Sequence, residues 1–467
     1  MCKQDLLYPI LGQYSYNLQG HGTLNAIYDS IEKTCTIHQF KVDLLIICGD
    51  FQAVRNGRDL NCMAVPPKYR VLGDFPDYYA GKRKAPILTI FIGGNHEASS
   101  HNQELFFGGW VCPNIYYLGA ANVLNVGGLR IAGLSGIYKS GDYRKPHYES
   151  LPYNSDTTRS VYHVRSYDVF KLFQVTERLD IGLSHDWPQG IENNGDTQRL
   201  LRTKPFFLSD IESGKLGSPP ARSLLNKLKP KYWFSAHLHV KFAAIVRHGR
   251  ELEAVERVLD SDMKSKTIGK PPTKVENPDA VDLDMSDEGE TEEVQGGVSL
   301  DIDGDAVEPP PKRTKSTPST PDLTVPCKTD VAKTPSVTYF LSLDKCLPRR
   351  SFLQILEIDT PEPPTPKSRS TLSYDSEWLA ITRAFNPYLS SPATTNQYIP
   401  PLPRDPNIVR EMIDTERNWV ANNVKDLRIR PEWFVWTAPA IGQGGPVDWK
   451  GTGDRELTPS LCLIALY

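Results

Sequence analysis

Four apolar runs occur between residues 42 and 239, and each ends at a polar residue. They span residues 42–50, 85–96, 178–186 and 231–239. Short apolar runs that end at polar or turn residues predict buried β-strands. Residues 24–34 and 161–175 instead repeat their apolar positions at helical spacing. The alternation predicts an α/β layered fold, with a ligand site at the carboxyl ends of the strands.

This pattern ends near residue 259. Residues 275–311 contain acidic residues but no Lys or Arg. Low hydrophobicity with unbalanced charge cannot offset the entropy of ordering, so we predict a disordered linker over residues 259–337. Apolar positions then return, and residues 376–390 predict an amphipathic helix. We expect a small C-terminal helical module over residues 338–445 and a variable tail over residues 446–467.

The composition is that of a chain without a membrane segment. Its 467 residues are 39% hydrophobic and 23% charged, which suits two or three domain-sized units. No run approaches the roughly 18 consecutive apolar residues that span a bilayer, and no secretory signal is visible, so we expect an intracellular protein. The eight cysteines form no CxxC pair, so neither a disulfide scaffold nor a zinc ribbon is indicated.

The overall charge does not indicate a nucleic-acid-binding protein, although two short segments are basic. A net charge of −3 gives no general attraction to nucleic acid, so RNA binding would need a local basic patch. The cluster PPPKRTK at residues 309–315 is of nuclear-localisation type, although a solvated charge cluster has the same composition. Arg55 and Arg58 could hold phosphate, but a solvated loop is the default interpretation of such a pair.

Polar side chains that can bind a metal follow the predicted strands or stand in a turn. A lone histidine after a strand is more often a hydrogen-bonded core or surface residue than a ligand. Here several occur in order, and all offer nitrogen or oxygen donors, which suits a borderline divalent ion. The predicted ligands are His21, Asp50, Asn95, His185, His237 and His239.

A carboxylate at the centre of this set can serve two cations. Its two oxygens can bridge ions about 3.5–4 Å apart, and a bound divalent ion can lower the pKa of water from about 15.7 to near 7. We therefore predict that Asp50 is the central ligand. His96 follows Asn95 and is placed to donate a proton or to stabilise a phosphate oxygen, although a structural histidine in a turn is the alternative.

The motifs GD, GNHE, SHDWP and SAHLHV, in this order, resemble those of the calcineurin-like metallophosphoesterases. Longer phrases, such as DLLIICGDFQAVRN, GGNHEASSH and LDKCLPRRSFLQ, are similar to those of the intron lariat debranching enzymes. The resemblance covers about residues 20–255 and returns over residues 338–390. It implies an αββα two-sheet metallophosphoesterase sandwich, with the catalytic domain over residues 20–258.

The resemblance also implies roles for the predicted ligands. His21, Asp50 and His239 would hold one divalent ion, and Asp50, Asn95, His185 and His237 would hold the other. The ions would be Fe²⁺, Zn²⁺ or Mn²⁺, and Asn95 and His96 would act in catalysis. The implied reaction is hydrolysis of the 2′–5′ phosphodiester at the branch point of excised introns, during mRNA processing in the nucleus. The implied partner is branched lariat RNA.

Residues 127–150 match the family's lariat-recognition insertion. Aromatic side chains alternate there with basic ones, and aromatics can stack unpaired bases while cations hold phosphates. An ordinary surface loop is the alternative. The predicted RNA-binding residues are Tyr138, Lys139, Tyr143, Arg144 and His147.

One position departs from the family pattern. Debranching enzymes carry Gly-Cys-x-His-Gly after an apolar first strand, whereas this chain has Gln19 at the cysteine position, and residues 1–18 do not resemble that strand. A Gln amide is a weaker ligand than a thiolate, so the first ion would bind poorly. Either the first site is genuinely weakened, or residues 1–19 derive from intron sequence; reads of mature transcript across these codons would distinguish the two.

Two other functions therefore remain open at the sequence level. Gln19 is compatible with a catalytically impaired protein that only binds lariat RNA. Another metallophosphoesterase activity, such as that of a protein phosphatase, would use the same metal ligands but leaves the insertion and the LDKCLPRR segment without a purpose.

Overall fold

Two β-sheets form the centre of the computed structural model, which describes residues 13–17, 21–248, 337–360, 371–390 and 398–441. The described residues belong to one compact unit. Four predictions concern residues outside these ranges: the ligand role of Gln19, the disordered linker, the basic cluster at residues 309–315 and the tail after residue 445.

The described residues form thirteen strands and eleven α-helices. The strands are β1 (Gln13–Asn17), β2 (Leu44–Ile47), β3 (Leu88–Phe91), β4 (Gly109–Cys112), β5 (Ile115–Tyr117), β6 (Ala121–Val126), β7 (Leu129–Leu134), β8 (Ile181–Ser184), β9 (Tyr232–Ser235), β10 (Phe242–Arg247), β11 (Val337–Ser342), β12 (Leu353–Glu357) and β13 (Leu372–Tyr374). The helices are α1 (Leu24–His38), α2 (Phe75–Tyr79), α3 (Ser99–Glu104), α4 (Ser140–Tyr143), α5 (Thr157–Ser160), α6 (Ser166–Phe173), α7 (Thr197–Thr203), α8 (Leu208–Glu212), α9 (Pro219–Leu228), α10 (Ser376–Phe385) and α11 (Pro406–Asn423).

Both sheets have parallel centres and antiparallel edges. The first has the order β12-β1-β2-β3-β5-β4, in which β1, β2, β3 and β5 run parallel. The second has the order β10-β11-β9-β8-β7-β6-β13, in which β11, β9, β8 and β7 run parallel. The carboxyl ends of the central strands in each sheet therefore meet at one edge.

The alternation of side chains along β2 explains the layers. Leu44 and Ile46 pack between the two sheets, whereas Leu45 and Ile47 pack under α1 on the outer face. Successive strand side chains point to opposite faces, so a strand that is buried on both faces is apolar throughout. Helices α6, α9, α10 and α11 cover the outer face of the second sheet. The predicted αββα sandwich is confirmed.

Most of the predicted elements form, with shorter bounds. The four apolar runs contain β2, β3, β8 and β9, and the first helical pattern forms α1. The second pattern is helical only as α6, because His163 instead forms a parallel bridge with Ile137. Among the described residues, no helix is both long enough and apolar enough to cross a bilayer.

The two ends of the chain differ from expectation. Residues 1–18 were expected to lack the usual first strand, yet β1 pairs in parallel with β2 and antiparallel with β12. The C-terminal segment contains the expected helix α10, but it also contributes β12 to the first sheet and β11 and β13 to the second. It is therefore built into the sandwich as well as being helical.

A buried ion-pair network joins this segment to the second sheet. Arg130 on β7 lies 2.7 Å from the Asp375 carboxylate, which caps α10, and 2.7 Å from that of Glu377. The side chain of Glu377 is fully buried and also accepts a hydrogen bond from the Thr176 backbone N–H at 3.0 Å. Each charge in this network is compensated by an opposite charge or an N–H donor.

We predict that Glu377→Ala lowers the free energy of unfolding by about 3–5 kcal/mol, because it leaves Arg130 buried with one partner fewer. Urea denaturation measures the change. Asp77→Ala removes a carboxylate from an exposed pair with Lys82 and serves as the control, with a much smaller expected effect. Equal losses for the two variants would contradict a role for this network in attaching the segment.

Candidate metal centre

The predicted ligands converge where the carboxyl ends of strands from both sheets meet. Asp50 follows β2, and Asn95 and His96 follow β3; these strands belong to the first sheet. The ligands from the second sheet follow β8 and β9, and the remaining one stands in the turn before α1. These are His185, His237, His239 and His21.

Asp50 lies between imidazoles on both sides. Its side chain is 1% exposed, and its two oxygens lie 3.6 Å from Nε2 of His21 and 3.5 Å from Nε2 of His185. The backbone N–H of His96 donates a hydrogen bond to Oδ1 of Asp50 at 2.9 Å. Potential ligand atoms of His21, Asp50 and His96 all lie within 4.8 Å of one another. This carboxylate can contact cations on two sides.

The hydrogen bonds of His185 leave a lone pair for a metal. Nδ1 lies 2.7 Å from the carbonyl oxygen of Cys48, which only accepts, so Nδ1 carries the proton of the neutral ring. Nε2 then presents its lone pair 3.1 Å from Oδ1 of Asn95 and 3.5 Å from Oδ1 of Asp50. Three acceptor atoms that face one another in a buried site fit a cation.

The histidines form two groups around Asp50. The ring centroids of His185 and His237 are 5.0 Å apart, and those of His21 and His239 are 5.4 Å apart. The resemblance implied the same division into two ligand sets. His96 lies next to the second group, with its ring centroid 5.6 Å from that of His21. The structure brings all seven residues together, while their individual roles stay predictions.

Burial holds the centre in the protonation states that bind metals. Desolvation lowers the pKa of His21 to about 4 and that of His237 to about 3, and it also lowers the pKa of His239. Burial would raise the pKa of Asp50, but the neighbouring imidazoles of His185, His96 and His21 outweigh it and keep the pKa low. Neutral imidazoles and an ionised carboxylate are the forms that bind a divalent ion. The donor set therefore fits such an ion.

Left-handed backbone conformations cluster at the centre. His21, Asp50, His237 and His239 have φ values of 36°, 47°, 62° and 48°. Such values are uncommon for residues other than glycine and persist where the surrounding structure holds them. One such contact is the hydrogen bond from the backbone N–H of His21 to the carbonyl oxygen of Asp50 at 2.6 Å.

Two glycines let the ligand loops approach closely. A Cβ at Gly49 would lie 2.1 Å from Nδ1 of His185, and one at Gly94 would lie 2.2 Å from Oδ1 of Asp50. No side chain fits at these distances. The glycines of the GD and GNH motifs are therefore required by the packing of Asp50 against His185.

Glu97 connects the loops that carry Asp50 and Asn95, and no role was predicted for it beyond its place in GNHE. Its carboxylate accepts backbone hydrogen bonds from Phe51 and Gln52 after β2 and from Gly94 after β3, at 2.8–2.9 Å. Burial and the charge of Asp50 raise the pKa of Glu97 to about 8. It fixes the position of Asp50 relative to Asn95.

Lys345 is a second residue without a predicted role. β11 runs parallel to β9 with Ser342 opposite Ser235, so the loop after β11 emerges beside His237 and His239. The positive charge of Lys345 lowers the pKa values of His21 and His239, after the larger effect of burial. The basic LDKCLPRR motif after an apolar strand was the available sequence signal.

The predicted RNA-binding residues lie in a shorter insertion than expected. The first part of residues 127–150 is the buried core strand β7, and only the residues after it form an insertion. Lys139 and Arg144 are exposed, and the rings of Tyr138 and Tyr143 contact edge to face at 5.5 Å. His147 points inward, with Nε2 2.7 Å from Asp168. RNA binding by these residues stays a prediction.

The backbone of Tyr138 links the insertion to the centre. Its N–H donates to the buried Asp186 at 2.6 Å, and the other carboxylate oxygen of Asp186 lies 3.6 Å from Nε2 of His237. Burial raises the pKa of Asp186 to about 6. Asp186 therefore connects the insertion to His237, a predicted metal ligand.

The interpretation of Arg55 as part of a solvated loop is wrong. Its side chain is 3% exposed and lies 2.9 Å from Asp59 and 2.7 Å from Glu104. It also donates to Oγ1 of Thr437 at 2.7 Å. Arg55 therefore has an internal structural role, in the loop that follows Asp50, and Arg58 is exposed as expected.

Comparison with known proteins identifies two matching families and several relatives. Residues 19–241 match the calcineurin-like phosphoesterase family, and residues 335–456 match the C-terminal domain of lariat debranching enzymes. The lariat debranching enzyme of Schizosaccharomyces pombe is 44% identical over 90% of this chain and 88% of its own length. Those of Arabidopsis thaliana and Homo sapiens are 42% and 45% identical. The matches cover 77% of the plant protein but only 52% of the human one.

We predict that Glu97→Gln lowers metal affinity by about 10- to 100-fold, the range found when groups that support metal ligands are changed. The ionised carboxylate accepts from all three N–H groups, whereas a Gln side chain cannot ionise and its NH₂ group always faces a backbone N–H. Isothermal titration with Mn²⁺ measures the change. Glu32→Gln, at an exposed position of α1, is the matched control, and equal affinities for the two variants would count against this role of Glu97.

Proposed function

The chain belongs to the lariat debranching enzyme family, and on that premise we propose that it hydrolyses the 2′–5′ phosphodiester bond at the branch point of intron lariats. The observation that carries the proposal is the position of Asp50 between two histidine groups. The C-terminal segment that shares strands with both sheets supports it, because that segment matches the family-specific domain.

The proposed chemistry needs two divalent ions of the Fe²⁺, Zn²⁺ or Mn²⁺ group. His21, Asp50 and His239 would hold one, and Asp50, Asn95, His185 and His237 the other. When bound, such ions activate water near neutral pH and offset phosphate charge. Because the imidazoles are neutral, the protein leaves a net positive charge for a phosphodiester.

His96 is the proposed proton donor. Its backbone is fixed by the hydrogen bond to Asp50, and its half-buried ring lies beside that of His21. A positioned imidazole can transfer a proton to the leaving oxygen or stabilise a non-bridging phosphate oxygen. The insertion after β7 would hold the RNA around the branch, and the basic cluster at residues 309–315 supports a nuclear location.

Incubation of the full chain and Mn²⁺ with a branched 2′–5′ RNA tests the proposal. We expect linear products, and we expect His96→Ala to slow their formation by about 10²- to 10⁴-fold, the usual contribution of a general acid. A linear 3′–5′ RNA is the substrate control. Cleavage of aryl phosphates or phosphoproteins alone would indicate another phosphoesterase, and binding without cleavage would indicate an inactive lariat-binding protein.

We predict that Lys345→Ala weakens inhibition by inorganic phosphate by on the order of tenfold, because an ionised donor contributes about 1.5–3 kcal/mol to a hydrogen bond. Lys345→Arg keeps the positive charge and should retain most of the inhibition by phosphate. Lys425→Ala, an exposed change elsewhere in the C-terminal segment, is the control. The proposed role of Lys345 fails if its Ala variant and the control show the same inhibition constant.

A further inference from the structure

A cavity of about 440 Å³ lies beside the metal centre and has no role in the proposed chemistry. It reaches Gly93 and Gly94 of the loop that carries Asn95, and α3 forms one side of it. His147, Glu149 and Ser150 of the insertion after β7 form another side. Its volume lies in the range of about 300–1,000 Å³ that is typical of ligand pockets.

Hydrogen bonds fix the insertion over this cavity. Gln103 on α3 donates to the carbonyl oxygen of Glu149 at 2.6 Å, and the Tyr153 hydroxyl donates to Gln103 at 2.5 Å. On the inner side, His147 pairs with Asp168 at 2.7 Å. The cavity is therefore held open by contacts within the protein.

The walls do not suit an anion. Aromatic rings and carboxylates line the cavity, and no Lys or Arg does so within the described part of the chain. Each carboxylate already has compensating partners: Glu97 has backbone N–H groups, Glu104 has Arg55, Glu149 has Arg165, and Asp168 has His147 and Lys171. A phosphate would meet four carboxylates and no Lys or Arg among the described lining residues, and a free cation would find the carboxylate charges already balanced.

Three buried polar atoms of the lining residues lack hydrogen-bond partners among the described residues. One, Oδ1 of Asp168, lies 3.4 Å from the ammonium group of Lys171; the other two are Oγ of Ser99, whose residue is 4% exposed, and Oδ1 of Asn102. Burying an acceptor without a hydrogen-bond partner is unfavourable, so these two atoms suit a ligand that donates to them. Both can accept a hydrogen bond from an N–H group, and the rings of Phe106 and Tyr162 offer flat apolar surface beside them.

We propose that this cavity binds one unpaired nucleobase of the branched RNA, with an exocyclic amino group directed at Ser99 and Asn102. The proposal rests on the proposed function for the identity of the RNA. A neutral, flat, amino-bearing ring matches the apolar walls, the unpaired acceptors and the absence of cationic residues among the described lining. The phosphates of the same nucleotide would remain outside, near the exposed cations of the insertion.

The proposal is tested with branched RNAs in which one nucleotide at a time around the branch lacks its base. Their affinities for the full chain are measured by titration, with a chelator present to prevent cleavage. Base stacking contributes about 1–3 kcal/mol, so wild-type affinity should fall about tenfold at one position. Ser150→Trp is an exposed change at the rim and should bind intact RNA about tenfold more weakly than wild type. Removing the base at the sensitive nucleotide should not lower the affinity of this variant further. Ser155→Trp, exposed outside the lining, should behave like wild type.

The proposal is overturned if no abasic position weakens binding, or if Ser150→Trp and Ser155→Trp bind equally. Debranching by the same preparation is measured separately. Base-dependent binding without debranching would refute the proposed function alone, whereas debranching with base-independent binding would refute the cavity assignment alone.

A second substitution identifies the contact. Purine riboside without the amino group, placed at the sensitive position, should weaken binding to wild type but not to a Ser99→Ala, Asn102→Leu variant. Equal losses for both proteins would refute the amino contact. Free adenosine distinguishes an RNA base from a free nucleoside as the occupant. If adenosine competes with the branched RNA at concentrations similar to that of the RNA, the cavity binds a free nucleoside instead.

Discussion

The burial of the Asp50 carboxylate is the constraint on which the rest of the site depends. A buried charge must be compensated: the backbone N–H of His96 donates to this one, and His21 and His185 on either side would hold the cations that balance the rest. These groups come from the turn before α1, from the second sheet and from the loop after β3. One carboxylate therefore requires both sheets to be in register at their carboxyl edges.

That requirement explains the local backbone. The loop after β2 must bring Asp50 against His185, which leaves no room for a Cβ at Gly49 or Gly94. Glu97 then ties the two loops through three backbone N–H groups. The strained φ values at His21, Asp50, His237 and His239 persist because such contacts hold them.

Local sequence patterns predicted the strands that carry the ligands because an apolar run and its polar end lie within one short segment. The same holds for α1 and for the set of ligands. Other features depend on pairings between distant residues: Arg55 is buried because Glu104 and Thr437 reach it, and Lys345 lies at the centre because β11 pairs with β9. β1 was missed because Gln13–Asn17 alternates polar and aromatic residues instead of repeating the apolar runs of its neighbours.

The charges around Asp50 are arranged asymmetrically. Lys345 lies near His21 and His239, whereas the described wall of the cavity on the other side of the Asn95 loop contains carboxylates and no cationic Lys or Arg. A branched nucleotide has the same asymmetry, since its phosphodiester is anionic and its bases are neutral rings with amino groups. With divalent ions bound, the centre would favour phosphate, whereas the proposed base site in the cavity offers acceptors and no Lys or Arg among its described lining residues. Electrostatics alone would then orient the branch across the predicted metal ligands before any base-specific contact forms.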